Sequence, residues 1–498
     1  MTDLDYLKLR GPAKLGHDLA AFFRRLPGNI LKGFKGLGHW FVNLFKNIGL
    51  NIADLITTFR EGDWKTRLSY LIMGFGSCAR GQWGRGILFF LFQTVFNLYM
   101  FFPNAQFSGC YYLGKLSTLG TIETYKEGRR TVYGDNSFFI LLYGVLTLFF
   151  IVAFIYTWRL NVKQNRISEE ILRSGKKLKT TKDDIDSLAD EQFHKTLLAL
   201  PTLGVFLFTA LPIFFMILVA FTNFDATHQP PGKLFTWVGW DNFHTLLNTD
   251  TTSYGTTFSQ VLLWTLIWAF FATFLNYFLG MLVAIMINKK GIKLKKVWRT
   301  ILVMTIAIPQ FVSLLYVSKM FAADGLINGA LMRWGWISSP LPFWTDANWA
   351  RATIIIINIW IGIPYLMLIA TGILMNIPAD LYESARIDGA NAFQMYKKIT
   401  LPYMLFVTGP YLLTSFIGNI NNFNVIFLLS AGKPQSMELA GNAGYTDLLI
   451  TWLYKMTVND TNYKIAAVMG IMVFVVTAVI NLVVYNMIPS VKNEEDFQ

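Results

Sequence analysis

The feature that most constrains this fold is a set of eight long apolar stretches. They cover approximately residues 86–102, 138–158, 196–222, 258–288, 300–321, 352–375, 403–430 and 464–487. A helix needs about 20 apolar residues to cross a bilayer, and in lipid its backbone polar groups must be satisfied within the segment. The sequence therefore predicts an all-α membrane protein with eight transmembrane helices. The first stretch is the weakest because it carries Gln93 and Asn97.

The low number of charged residues supports this prediction, and their distribution predicts how the chain is oriented in the membrane. Charged residues make up only 15% of the chain, against about 25% in soluble domains. Of the 43 Lys and Arg residues, 32 lie before span 1, between spans 2–3, 4–5 and 6–7, or after span 8. The positive-inside rule then places both termini in the cytoplasm, with Cys78 and Cys110 on opposite sides. The net charge of +13 is explained by orientation, without a nucleic-acid partner.

Residues 1–85 form a basic, amphipathic region rather than an ordinary tail. Apolar side chains recur every three or four residues from Leu19 to Ile48, and no acid occurs from Ala20 to Leu50. This pattern is typical of helices lying on anionic lipid. A soluble helical domain that packs on the spans or on a partner is the alternative. Residues 491–498 are predicted to be a cytoplasmic tail.

Several kinds of chemistry have no support in the sequence. There is no Walker A phosphate loop, no HExxH, no CxxC and no GxSxG, and the five His residues are scattered. We therefore predict no catalytic residue and no metal site. The span interiors also lack Asp and Glu, which ion-coupled carriers commonly use. The energy for any transport is then expected to come from another chain.

The segment between spans 6 and 7, residues 376–402, reads as two short helices joined by a tight turn. Asp380 can cap the first helix, with Glu383 reaching back, and Gly389 suits the residue that ends it. Asn391 and Gln394 can form a second capping box, and Pro402 opens the next span. A rigid, partly apolar helical pair in the cytoplasm favours docking into a groove on another protein.

This segment resembles the EAA motif of ABC importer permeases. The matching positions are Glu383, Ser384, Ala385, Gly389, Ile399, Leu401 and Pro402, of which only Ser384 departs from the motif. The run 385–390, which includes Asp388, is similar to the carbohydrate-uptake branch. The resemblance implies that 376–402 is the coupling loop that docks into cytoplasmic ATPase subunits.

Three further segments extend the resemblance to sugar permeases, and the second and third of them look specifically like permease subunits of the maltose/maltodextrin (MalF) type. They are residues 238–243, 360–367 and 443–449. The resemblance implies a six-helix type I core over 196–490, preceded by two accessory helices and a charged loop over 86–195. The outer loop after span 3 has only about 35 residues, whereas the best-known members of this type carry a folded domain there.

Span 7 is unusually polar for a membrane helix. Ser415, Asn419 and Asn422 are spaced so that they share one helical face. Neutral amides and hydroxyls suit an uncharged sugar, but they also join membrane helices, and spacing alone does not decide between the two. The resemblance favours a sugar site and adds Gly362 and Tyr365 of span 6. Gln310 stands where the family has a Ser, and Gly418 replaces a family aromatic.

The resemblance implies one permease subunit of a binding-protein-dependent ABC importer for maltose/maltodextrin in the bacterial plasma membrane. The implied partners are a second permease subunit of MalG type, two ATP-binding cassette subunits, an extracellular sugar-binding protein, a maltodextrin-like oligosaccharide and membrane lipid. ATP and Mg would bind to the partner ATPases, and this chain would bind no cofactor. The alternatives are a permease for another oligosaccharide and a stand-alone secondary carrier.

Overall fold

The computed structural model describes residues 51–485 except 105–107, 122–124, 133, 249, 251–252 and 290, together with scattered positions between 36 and 50. The predicted interfacial helices of residues 19–48 lie almost wholly outside the described residues, and so does the tail 491–498. The chain divides into two units. Unit 1 runs to Gly114 and continues over Tyr143–Phe206, and unit 2 contains Lys115–Leu142 and everything from Leu207. The functional boundaries given above remain predictions.

Residues 51–61 are helical, and the first labelled elements follow them. These are α1 (Trp64–Leu68), α2 (Phe75–Cys78), α3 (Trp83–Met100), α4 (Gly109–Leu116), the antiparallel hairpin β1 (Tyr125–Glu127) and β2 (Arg130–Val132), α5 (Ser137–Arg173), α6 (Thr181–Ala189) and α7 (Phe193–Val205). Residues 190–192 separate α6 from α7.

A buried polar network holds unit 1 together. Asn161, Asn165 and Glu169 recur every fourth residue on α5, so they form one stripe along that helix. The Arg80 guanidinium donates to Asn165 at 2.8 Å and to Asp63 at 2.6 Å. The Thr66 hydroxyl donates to Glu169 at 2.8 Å, and Asn161 accepts from the backbone of Gly74 at 2.9 Å. The polar stripe on α5 thereby fixes residues 63–80 against it.

The remaining helices belong mainly to unit 2, and five-residue π-helical turns interrupt several of them. They are π1 (Phe206–Ala210), α8 (Leu211–Val219), α9 (Asp241–Leu247), α10 (Tyr254–Phe270), π2 (Phe271–Leu275), α11 (Asn276–Asn288), α12 (Lys295–Ala307), α13 (Gln310–Met320), α14 (Leu326–Arg333), α15 (Ala347–Leu374), α16 (Ala379–Ile387), α17 (Ala392–Met395), π3 (Tyr396–Thr400), α18 (Leu401–Ile420), α19 (Phe423–Leu429), α20 (Leu449–Tyr454), π4 (Lys455–Asn459) and α21 (Tyr463–Tyr485).

The all-α membrane fold is confirmed, but the number of spans is not. Among the described residues, six helices are long and apolar enough to cross a membrane: Ser137–Arg173, Phe193–Val219, Tyr254–Asn288, Ala347–Leu374, Ala392–Ile420 and Tyr463–Val483. The bent pair α12 and α13 gives a seventh if it counts as one span. The first predicted span corresponds to α3, which is not among these candidates. Eight spans therefore remain a prediction.

The structure differs from the prediction in span 5, expected as one helix over 300–321. Helices α12 and α13 meet at 91°, and the break lies at Ile308 and Pro309. Proline has no backbone N–H to continue the helix, and its ring disfavours the helical conformation for the preceding residue. Ile308 is accordingly extended, with φ −81° and ψ 127°.

Span 7, expected as one stretch over 403–430, is also broken. Helix α18 ends at Ile420, and the short helix α19 starts at Phe423. The Asn422 side chain caps α19 by accepting from the backbone of Val425 at 3.3 Å. Asparagine side chains compete with the helix for backbone groups, and the pair Asn421 and Asn422 gives the chain this alternative.

Two buried apolar clusters form the core of unit 2. The first joins α10, α13, α15 and α19, with Trp264, Trp268, Leu314, Ile354 and Val425 among its members. The second joins α11, α15 and α18 around Tyr277, Met281, Met367, Ala370 and Met404. The two clusters meet along one continuous helix at π2, and the polar residues of this junction form the candidate site.

Candidate functional site

A layer of polar side chains lies at π2, between the two apolar clusters. Asn419 donates its amide to the Thr273 hydroxyl at 3.0 Å, and Asn422 donates to the Asn419 side-chain oxygen at 3.3 Å. The Trp268 indole donates to the Asn419 backbone carbonyl at 3.1 Å. A π-helical turn changes the direction of side chains along a helix and is frequent at functional sites. The predicted pair Asn419 and Asn422 is therefore held together by hydrogen bonds, even though span 7 is broken beside it.

Gly362 lies against the same layer from α15. A Cβ at this position would be 2.6 Å from the Asn276 side-chain nitrogen, so any larger residue would have to displace the Asn276 amide. Asn276 donates to the Ala272 carbonyl at 2.9 Å, while its side-chain oxygen is buried without a partner. A buried acceptor without a donor costs about 1–3 kcal/mol. The layer thus has an acceptor to offer to a hydroxyl group.

The other predicted site residues, Tyr365, Ser415 and Gln310, differ in their exposure and in the helices that carry them. Tyr365 is on α15 one turn beyond Gly362, with 53% of its surface exposed. Ser415 is half-buried on α18, one turn before Asn419. Gln310 is exposed at the start of α13 and makes no hydrogen bond to these residues in the described part of the chain. Gly362 and Asn419 both contact the helix that contains π2, at Asn276 and at Thr273 respectively.

Sequence reasoning missed three residues of this layer: Trp268, Thr273 and Asn276. A signal was present, because Thr273 and Asn276 lie three residues apart in an otherwise apolar span. Polar residues at that spacing lie on one helix face. Among the residues that the structure describes, no group of three or more His, Cys, Asp or Glu side chains is placed to hold a metal ion.

The predicted coupling loop, residues 376–402, is called the coupling segment below. It has the two predicted helices, α16 and α17, but α16 does not begin where the sequence predicts. The predicted capping box of Asp380 and Glu383 is wrong, because α16 starts at Ala379 with Pro378 at the N-cap and no side-chain cap. Proline fixes the backbone angle before the helix, and the helix starts two residues earlier than a cap at Asp380 would give. Asp380 lies in the first turn, where a carboxylate is favoured by the helix dipole.

The turn between these helices is built as predicted. Gly389 has φ +75°, and its N–H donates to the Arg386 carbonyl at 3.0 Å. The next N–H, of Ala390, donates to the Ala385 carbonyl at 2.9 Å, which completes a Schellman motif. Asn391 and Gln394 form the predicted capping box at the start of α17. Local sequence signals are therefore enough to define this turn.

The coupling segment presents a polar and apolar surface. Glu383, Ser384 and Asp388 are exposed on or beside α16, and Ala385 is half-buried. The apolar side chains of Ile387 and Phe393 are 87% and 69% exposed. An exposed apolar patch on a rigid element is typical of a protein-binding surface.

The far end of the segment joins the core. Leu401 packs on the second apolar cluster, and the Tyr382 hydroxyl lies 2.9 Å from the Thr400 hydroxyl. Ile399 is half-buried, and Pro402 is near the start of α18 as predicted. A force on α16 would therefore reach the helix that carries Asn419.

These features define a membrane permease, and comparison with known proteins identifies its family. The chain belongs to the family described as "binding-protein-dependent transport system inner membrane component", whose model matches residues 276–493. It is a multi-pass membrane protein and a permease subunit of a sugar ABC importer.

Three relatives show the extent of the similarity. The galactooligosaccharides permease protein GanP of Bacillus subtilis is 34% identical over 427 residues, 85% of this chain and 97% of that protein. The maltodextrin permease protein MdxF of the same organism is 33% identical over 442 residues, which cover 86% of this chain and 97% of that protein. MalF of Escherichia coli K12 is 33% identical over 277 residues, 54% of this chain and 53% of MalF. The similarity to the two Bacillus proteins covers more of the chain than the predicted core of residues 196–490.

Proposed function

We propose that this chain forms part of the translocation pathway of an importer for maltodextrin-like oligosaccharides, with Asn419 and Asn422 at the sugar site. The polar layer at π2 is the observation that carries this proposal. It combines amides, a hydroxyl and the unpartnered oxygen of Asn276 inside an apolar core. A neutral sugar both donates and accepts hydrogen bonds, whereas a charged ligand would need a counter-charge in this layer. Gly362, Tyr365, Ser415 and Gln310 are the other proposed lining residues.

A galactooligosaccharide is the second candidate substrate. It is favoured by the 34% identity to GanP, which is similar to the 33% identity to MdxF. Both candidates are neutral oligosaccharides, so the polar layer fits either. They differ in the orientation of ring hydroxyls, which a specific set of hydrogen-bonding groups can distinguish.

We further propose that the energy comes from partner ATPases through the coupling segment. The exposed side chains of α16 and α17 would dock on two ATP-binding cassette subunits that bind ATP and Mg, and this chain would bind no cofactor and hydrolyse nothing. A second permease subunit of MalG type would complete the pathway, and an extracellular binding protein would deliver the sugar. Closure of the ATPases would then move α18 as a rigid body.

Co-purification with the partner subunits, followed by a screen of oligosaccharides, tests this function. We expect maltodextrins, presented with the binding protein, to stimulate ATP hydrolysis in the reconstituted complex. Stimulation by galactooligosaccharides alone would favour the second candidate. Sugar flux by the purified chain in liposomes without ATP would contradict the proposal and indicate a secondary carrier.

The substitution Asn422→Ala tests the sugar site. It removes the amide that bonds Asn419 at 3.3 Å and the hydrogen-bonding capacity offered to the sugar. We expect sugar uptake to fall about tenfold, the effect of losing one or two polar contacts, while the complex still assembles. The measurement is uptake of labelled sugar together with size-exclusion analysis of the complex.

Two controls separate the sugar contact from the cap of α19. Asn422→Ser keeps a side chain that can cap the helix but removes the amide, so uptake should remain low. Asn421→Ala removes a neighbouring exposed amide, which bonds only within its own turn to Ile417, and uptake should stay normal. Unchanged uptake in Asn422→Ala would show that this residue only joins helices.

The two cysteines test the proposed orientation in the plasma membrane, with both termini cytoplasmic. Both are free, and Cys110 is exposed while Cys78 is half-buried. We expect a membrane-impermeant maleimide to label Cys110 on intact cells and to leave Cys78 unlabelled. Burial also raises the pKa of the Cys78 thiol and slows its reaction, so Cys78 must be shown to react after permeabilisation and denaturation. Cys110→Ser is the control, and labelling of that variant on intact cells would contradict the orientation.

A further inference from the structure

The sequence segment 238–243, between α8 and α9, has a structural role that the transport pathway does not explain. Gly239 has φ +63°, which lets the chain turn. The Asn242 amide donates to the carbonyls of Ala220 and Thr222 at 2.8 and 2.7 Å. Phe243 packs on Phe221 with 5.3 Å between ring centres. The segment thereby fixes the start of α9 next to the end of α8.

A cavity of about 470 Å³ lies beside this segment. That size is within the range of small-molecule sites. Its lining is mostly polar and includes Asn223, Asp241, Thr245, Tyr254, Asn462 and Lys464. These residues come from the starts of α9, α10 and α21 and from the loop after α8, which are predicted to face the cell exterior.

Two acceptors in this cavity lack partners. The side-chain oxygen of Asn462 is buried with no hydrogen bond, although its nitrogen donates to the Tyr254 hydroxyl at 3.3 Å. The Asp241 carboxylate accepts from no group in the described part of the chain. A buried amide oxygen without a donor is unfavourable unless water or a ligand supplies one. The cavity therefore favours a ligand with hydrogen-bond donors.

The other polar groups narrow the class of ligand. Lys464 is already paired with Asp225 at 2.7 Å, and the Asn223 oxygen accepts from the backbone of Thr236 at 2.7 Å. The unpaired Asp241 carboxylate disfavours an anion. Tyr254 accepts from Asn462, so its hydroxyl proton is free to donate to the ligand.

We propose that this cavity is a second oligosaccharide site on the outer face of the permease, distinct from the polar layer at π2. Asp241 and Asn462 accept from adjacent hydroxyls of a neutral sugar, and Tyr254 donates to one of them. Trp240 precedes Asp241, is 63% exposed and packs edge-on against Phe221, so its ring is available for stacking on a sugar face. This inference rests on the proposed function for the identity of the ligand.

The two sites are far apart along one helix. Tyr254 begins α10, and Thr273 of the polar layer follows it in π2. At 1.5 Å per residue, roughly 28 Å of helix separates them. A sugar bound at the outer cavity is therefore well separated from the membrane site. Substitutions in one site are expected to leave the other site intact.

Equilibrium binding of radiolabelled maltotriose to the full-length chain in nanodiscs tests the proposal. We expect two bound sugars per wild-type chain and one for Asp241→Asn, which keeps the size of an exposed side chain but weakens the acceptor. Asn462→Leu should lower the affinity of the outer site at least about threefold, because one polar contact to the sugar is lost. Asp324→Asn, at an exposed acid that does not line the cavity, is the matched control.

The outcomes separate this inference from the proposed function. Loss of one sugar in Asp241→Asn and of the other in Asn422→Ala supports both. Two bound sugars in both Asp241→Asn and Asn462→Leu overturn the outer site alone. Binding that depends on Asp241 but not on Asn422 supports the outer site and contradicts the membrane site. No maltotriose bound by the wild type overturns both. Weaker docking of the binding protein to Asp241→Asn, with sugar stoichiometry unchanged, also overturns the outer site in favour of a protein contact.

Discussion

The substitution Gly389→Val is expected to abolish the stimulation of the partner ATPases by the sugar-loaded binding protein. Gly389 has φ +75°, a conformation that costs ordinary L residues roughly 1–2 kcal/mol and β-branched residues more. A Cβ at this position would meet no atom within 4 Å, so the effect comes from backbone strain and not from a clash. Relief of that strain would open the Schellman turn and change the angle between α16 and α17.

The coupling segment is sensitive to that angle because both helices carry exposed docking side chains. Ile387 precedes the turn and Phe393 follows it, so opening the turn moves one relative to the other. We expect ATP hydrolysis stimulated by the binding protein to fall at least about tenfold in reconstituted complexes. The measurement is phosphate release with and without sugar, together with retention of the ATPases on affinity-purified permease.

Two controls show whether the effect belongs to this turn. Gly389→Asn should keep most of the stimulation, since asparagine tolerates positive φ. Gly335→Val introduces similar strain in a matching turn after α14, where Gly335 has φ +71°, donates to the Met332 carbonyl and has open space around it. That variant should couple normally. A normally stimulated Gly389→Val complex would refute the docking role of the segment.

The turn at Gly389 could be predicted from sequence because its signals are local. The glycine, the Asn391 cap and its Gln394 partner all lie within six residues, so no distant contact decides the conformation. The predicted cap at Asp380 was wrong for a reason that is also local. Pro378 determines where the helix starts, and this backbone constraint outweighs the spacing of Asp380 and Glu383.

The candidate sugar site could be predicted only in part. The polarity of span 7 identified Asn419 and Asn422, but their partners depend on contacts far along the chain. Thr273 and Trp268 reach Asn419 from about 150 positions away, and no local pattern gives that pairing. The break at Asn421 was likewise missed, because an asparagine in an apolar helix is compatible with a continuous helix or with an interrupted one. Helix packing decides between these two.

The second large expected effect is a loss of stability when a buried ion pair is broken. Asp447, in the 443–449 segment, pairs with Lys455, the first residue of π4. Their charged atoms are 2.6 Å apart, with 0% and 8% of the side chains exposed. Asp447 also accepts from the Gly444 N–H at 2.7 Å and the Thr451 hydroxyl at 2.8 Å. Gly432 leaves the space for this carboxylate, because a Cβ there would be 2.2 Å from it. The pair anchors the loop 430–448 to the helix that follows.

Lys455→Met should lower the midpoint of thermal unfolding of the purified chain by on the order of 10 °C. Removing one partner leaves a buried charge uncompensated, which costs about 3–5 kcal/mol. The double variant Asp447→Asn/Lys455→Met should recover most of the loss, since the amide keeps an acceptor for Gly444 without a charge. Lys115→Met, at the more exposed pair with Asp135, should shift the midpoint much less.

The pH dependence of Lys455→Met gives a second readout for the same pair. Burial raises the pKa of Asp447 above 3.8, and in the variant Lys455 no longer opposes that shift. A carboxyl whose pKa is higher in the folded state than in the unfolded state stabilises the fold below the unfolded pKa and loses that contribution as pH rises through the folded pKa. The deficit of Lys455→Met should therefore be smaller at pH 5 than at pH 8, whereas the double variant should show no such difference. A deficit that does not change with pH, or that the double variant retains, would show that Lys455 acts through packing rather than through its charge.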